Sequence, residues 1–142
     1  MRTTPMLAAL TALMLPAAAF AQEMSIGERE FMNSCAQCHG PEGKGDGYLV
    51  EYFLEGGAPD LTGLQKANGG VFPVAQVYAL IDGTATEGIH GDSMMPTWGD
   101  RYSMEAEEDL GRYFALSPED QAAAVRARIL ALIEYISTLQ VQ

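Results

Sequence analysis

Apolar residues recur three and four positions apart in several stretches of this chain, and nowhere do they alternate convincingly with polar ones, so the pattern predicts helices and no sheet. The first helix is expected over 25–34, capped by Ser25 with Glu28 three residues on and an apolar stripe of Ile26, Phe31 and Met32. A second spans 74–81, with Pro73 in its first turn and Asp82-Gly83 ending it. A third is read from a Ser103 cap, with Glu105, Glu107, Glu108 and Asp109 in its first turns and Leu110, Tyr113 and Phe114 on its buried face. The last opens on the capping box Ser117-Pro118-Glu119-Asp120 and buries Val125, Ile129, Leu132, Ile133, Ile136 and Leu139.

Between the first two helices, 40–57 is glycine-rich (Gly40, Gly43, Gly45, Gly47, Gly56, Gly57), with an apolar insert over 48–54 that reads as a short helix between loops. Its Gly-x-Gly-x-Gly run follows no strand and opens no long helix, so it is a weak phosphate signal. Asp46 lacks the alternating oxygen ligands of a calcium loop. Asp60-Leu61-Thr62 reads as a short helical turn, and 83–100 has no period. The fold class expected is all-α in a single domain.

Composition and charge narrow the setting. Arg2, an apolar run from Met6 to Phe20 and Ala19-Phe20-Ala21 have the form of a secretory signal peptide over 1–21, too short and too interrupted (Thr11, Pro16) for a membrane anchor. That leaves a domain over 22–142, expected in the periplasm with no membrane anchor after cleavage. The segment removed holds one basic residue and no acidic one, so the net charge of -11 becomes -12. Such a surface excludes nucleic acid as a partner, repels acidic proteins and attracts basic ones.

The chemistry lies in Cys35-Ala36-Gln37-Cys38-His39. Cys-x-x-Cys also occurs in zinc sites and disulfide exchangers, but a closed zinc site takes four Cys or His donors, and this chain holds two of each with His90 far from the rest. A thioredoxin-like site needs a βαβ setting and no histidine after the second cysteine. With that histidine, the pentapeptide is the attachment sequence of c-type haem: the thiols add to the two vinyl groups, and His39 supplies an axial nitrogen. Export agrees with this, since a bare cysteine pair outside the cytoplasm tends to oxidise. The opposite axial position has four candidates: Met95, followed by the stiffening Pro96 in a glycine-flanked loop; Met94; Met104; and His90, which would give a lower potential. Trp98, Arg101 and Tyr102 follow that loop and are candidates to bind the haem propionates.

In its order of motifs the chain resembles a class I cytochrome c, of the bacterial periplasmic monohaem kind. Gly27, Phe31 and Cys35 at four-residue intervals resemble that family's first helix, whose glycine permits close crossing by the last. Leu132-Ile133-Glu134-Tyr135-Ile136 resembles the last helix, with Tyr135 at the crossing. Ala58-Pro59-Asp60-Leu61 resembles the family's Gly-Pro-x-Leu segment, which implies that the Pro59 carbonyl accepts a hydrogen bond from His39. Met95-Pro96-Thr97-Trp98-Gly99 resembles its axial-methionine loop. The resemblance implies a cytochrome c fold of helices around one covalent haem, His39 and Met95 on the iron, and single-electron transfer by a monomer rather than enzyme catalysis. Two features depart from it: 39–59 is longer than in compact mitochondrial forms, and the lysines around the haem edge dwindle to Lys44 and Lys66. Redox partners with basic docking surfaces are therefore expected. The competing readings are the haem subunit of a dehydrogenase, with the insert at 48–54 as its interface, and a haem enzyme or gas binder with a displaceable methionine.

Overall fold

A computed structural model describes residues 23–53, 57–85 and 95–141, and all regular structure among them is helical. The elements in chain order are α1 (Ile26–Glu30), a π-helical turn (Phe31–Cys35), α2 (Ala36–His39), α3 (Val50–Phe53), α4 (Leu64–Ala67), α5 (Val74–Asp82), α6 (Trp98–Leu110) and α7 (Pro118–Thr138). The proposed signal segment, His90 and Met94 lie outside the described residues.

Ser25 starts the first helical run as its spacing predicts, its hydroxyl accepting from Glu28 N at 3.0 Å. The run passes without a break through the π turn into α2 and ends at Gly40, whose φ is +76°. It is thus longer than the helix expected over 25–34. Its inward face also differs, because Gly27, Phe31, Ser34 and Cys35 are buried while Ile26 and Met32 are exposed.

What decides that face is the crossing with α7. A Cβ on Gly27 would stand 1.9 Å from Ala131 O, so only glycine lets the two backbones come this close. Phe31 fills the space beside the crossing, its ring centroid 5.3 Å from that of Tyr135. Along α7 the buried residues are Val125, Ile129, Leu132, Ile133 and Ile136, the face its periodicity predicts, and its capping box is formed in both directions between Ser117 and Asp120.

The third predicted helix is corrected most. α6 begins at Trp98 after Thr97, and Ser103 lies inside it rather than capping it. Its buried residues are Trp98, Gly99, Tyr102 and Ala106, while Leu110, Tyr113 (75% exposed) and Phe114 (66%) face outward. Burial of a tryptophan and a tyrosine four apart outweighs the preference of acidic residues for a first turn, which is worth only about 0.3–1 kcal/mol. α5 keeps its predicted extent to within one residue and contributes Val77 and Ile81 to the same core. Asp60-Leu61-Thr62 forms a side-chain-closed turn ahead of α4, with Asp60 Oδ1 accepting from Thr62 N at 2.8 Å and from its hydroxyl at 2.7 Å.

Candidate haem site

Three of the predicted ligating residues sit at the end of the first helical run. Cys35 closes the π turn and is buried, Cys38 is half-buried, and His39 is 8% exposed. In the π turn Ala36 N donates to Phe31 O, five residues back, and this wider turn keeps Phe31, Ser34 and Cys35 all on the core side. Neither cysteine is in a disulfide. Burial pushes the Cys35 thiol up to about 12, with Glu30 and Cys38 adding to the effect and Arg101 opposing it. A thiol held protonated at neutral pH is a poor nucleophile for disulfide exchange, which counts against that use of Cys-x-x-Cys. Among the described residues, no three His, Cys, Asp or Glu side chains gather as a metal cage.

His39 has its ring oriented. Its Nδ1 lies 2.9 Å from the carbonyl oxygen of Pro59, and since a carbonyl only accepts, Nδ1 carries the proton and the lone pair resides on Nε2. The glycine-rich loop folds back against the helix end: Gly45 N donates to His39 O at 2.8 Å, Gly47 N to Cys38 O at 3.0 Å and Leu49 N to Gln37 O at 2.9 Å. These bonds satisfy carbonyls that a helix C-terminus leaves without partners. Gly45 (φ +83°) can do this only without a Cβ, which would stand 2.2 Å from Ala58 O. The glycine run is therefore a helix cap that docks the Pro59 segment.

Met95 is half-buried and packs against the core that contains Cys35 and Trp98. Met104 is exposed on α6, on the surface. Trp98 is buried, its ring 6.1 Å from that of Tyr102. The Arg101 guanidinium lies 4.9 Å from the Trp98 ring centroid, with its Nε donating to Glu105 at 2.6 Å, so Arg101 has a carboxylate partner on its own helix. Trp98 Nε1 is a buried donor with no hydrogen-bond partner among the described residues, and the buried Tyr102 hydroxyl has Glu30 as its neighbouring carboxylate. Burial first, then the charges of Glu30 and Cys35, push the Tyr102 phenol up and keep it protonated.

The sequence reading missed an ion-paired cluster beside these residues. Arg128 of α7 pairs with Glu105 of α6 and lies 3.8 Å from Glu30 of α1, whose other oxygen accepts from Ser34 at 3.0 Å. Its guanidinium stands 5.2 Å from the Tyr102 ring centroid. The Arg101–Glu105 spacing of four was a legible signal for one member. Nothing along the chain pointed to Arg128.

A family profile described as cytochrome c oxidase, cbb3-type, subunit III matches residues 22–114. The chain belongs to this family. Neither a curated protein nor a solved structure matches it significantly. As a cytochrome c the protein binds one haem c covalently through Cys35 and Cys38, and its general function is electron transfer. The residues present fit that group: two thiols three apart on one helical run, an imidazole whose lone pair is turned away from its backbone partner, and the buried Trp98 Nε1, which meets no acceptor among the described residues. Bound there, haem c supplies a one-electron couple on its iron. The match ends before α7, yet α7 supplies the surface on which the cytochrome's cysteine-bearing helix is packed.

Proposed function

We propose that this cytochrome is a soluble single-electron carrier of the periplasm, exported by its first 21 residues, with His39 and Met95 as the two axial ligands. The observation that carries this reading is the half-burial of Met95 against the core that holds Cys35, together with the Nδ1 bond that orients His39. A thioether favours the ferrous state and raises the potential relative to bis-histidine ligation. Two fixed ligands leave little to rearrange between oxidation states, which suits exchange of electrons rather than catalysis at the iron.

Visible and near-infrared spectra in both oxidation states test the ligands. A methionine-to-iron charge-transfer band should be lost in Met95→Ala and kept in Met94→Ala and His90→Ala; a high-spin ferric spectrum of the unsubstituted protein would sink the carrier reading in favour of a ligand-binding or enzymatic haem. The acidic chain is suited to basic redox partners, and reaction with one should slow as salt is raised.

A second reading is favoured by one observation: Tyr48 of the 48–54 insert is exposed. Together with a family named for an oxidase subunit, this suits a haem subunit in permanent complex with a larger redox enzyme. Native mass measured directly on a periplasmic extract separates the two, a carrier running at its own mass and a subunit with its complex.

A further inference from the structure

The segment that bears Pro59 is fixed largely from the far end of the chain. Pro59 has no N–H of its own, so the position of its carbonyl is inherited from its neighbours. On one side Leu61 N donates to Gly43 O at 2.7 Å and Asp60 closes its turn onto Thr62. The other ties come from Gln140 and Val141, directly past α7. Gln140 Nε2 donates to Leu61 O at 2.8 Å and to Ile136 O at 3.0 Å, while its Oε1 accepts from Gln65 N at 2.9 Å. Val141 N donates to Thr62 O at 2.9 Å.

A residue whose task was to finish α7 would need only the bond to Ile136. Gln140 instead uses both amide hydrogens and its carbonyl at once, two of the three bonds reaching residues 75 and 79 positions earlier in the chain. Those two partners bracket the stretch 61–65, which leads straight back through Asp60 to Pro59. Leu139, beside Gln140, packs on the core and lies 3.2 Å from the place a Gly43 Cβ would occupy, so the chain end is seated as well as hydrogen-bonded.

We propose that Gln140 is a positioning residue for the proximal histidine: it clamps 61–65 to the end of α7 and so holds the Pro59 carbonyl on His39 Nδ1. The proposal rests on His39 being the axial ligand named above. An imidazole that donates a hydrogen bond through Nδ1 is more basic at Nε2, which favours the ferric state. Loosening the clamp lengthens that bond on average, lowers the basicity and raises the potential. Gln140 lies 102 positions beyond Cys38 along the chain, and the effect follows from its bonds to Leu61 and Gln65.

The test uses the haem-loaded protein with Gln140→Ala, Gln140→Glu and, as control, Ser117→Ala, which removes the capping box at the opposite end of α7. In Gln140→Ala the Nδ1–H of His39 should exchange with solvent about tenfold faster, as should the Gln65 amide. The ferrous-to-ferric ratio at a fixed ambient potential should rise about twofold to threefold. Gln140→Glu keeps the acceptor for Gln65 but loses both donors, so Gln65 stays protected while His39 exchange still rises. Ser117→Ala should lower the melting temperature and change neither exchange nor potential. If Gln140→Ala behaves like Ser117→Ala, less stable with His39 exchange and potential unchanged, Gln140 is a helix-end residue only and the proposal falls. Absence of the methionine band from the unsubstituted protein would defeat the two-ligand reading while the His39 exchange comparison stands, so the two failures are distinct.

Discussion

The two sides of the site are held by different forces. On the proximal side, Cys35 to His39 and the Pro59 segment are fixed mainly by hydrogen bonds between neutral groups, namely backbone amides onto helix carbonyls, a carbonyl on an imidazole and the Gln140 amide, with the Asp60 carboxylate closing one local turn. On the α6 side, Trp98 and Tyr102 are fixed by aromatic packing under a chain of charges running Glu30, Arg128, Glu105, Arg101. Neutral bonds of this kind are short-ranged and indifferent to salt, whereas part-exposed ion pairs are screened and depend on every member being present. The histidine side is thus defined by shape and the tryptophan side by charge balance.

That contrast can be broken in four places. Gly45→Ala should do most damage, since it combines a disfavoured φ with a Cβ 2.2 Å from Ala58 O; a loss of about 2–4 kcal/mol is expected from the denaturation midpoint. Arg128→Met should cost about 1–3 kcal/mol, less than the loss of a partner in a fully buried pair, because Glu30 and Glu105 retain some solvent. Should Arg128→Met prove neutral, the charge chain is not what holds α6. Screening of the ion chain by salt should cost the unsubstituted protein up to about 1 kcal/mol relative to Arg128→Met, read as the difference between two slopes of melting temperature against ionic strength, since relief of self-repulsion in so acidic a chain acts on both. Equal slopes would remove the electrostatic half of the comparison.

The smallest effect is expected at acid pH. Hydrogen bonds from Ser117 hold the Asp120 carboxyl below its ordinary value, and Thr62 does the same for Asp60. A carboxyl with a lowered folded-state pKa contributes stability that is present above its unfolded value and lost as pH falls through the folded one. Melting temperature should therefore decline below the ordinary carboxylate range, and Asp120→Asn should flatten part of that decline. An unchanged acid limb in Asp120→Asn would assign the pH dependence elsewhere.

How much was legible along the chain differs by residue. The α7 face and its capping box follow from spacing alone, because a helix periodicity over 21 residues leaves one way to bury the apolar set. For α6 the same logic failed. Its apolar residues are few, and the choice between Leu110 with Tyr113 and Trp98 with Tyr102 depends on which face meets α5 and α7. Arg128 and Gln140 gave no local sign at all, since their partners lie 23 to 98 residues away in the case of Arg128 and 75 to 79 in the case of Gln140.

By itself the order of residues determined the cofactor and its attachment, because Cys-x-x-Cys-His is a local arrangement on one helix whose chemistry needs no distant partner. It determined the helical class and the long α7 for the same reason, their periods being written in consecutive residues. The tertiary structure decided which face of α6 is buried, that the glycine run caps a helix, and that the chain end fastens the segment touching His39. These are pairings between positions far apart in sequence, where only the packed chain settles which donor meets which acceptor.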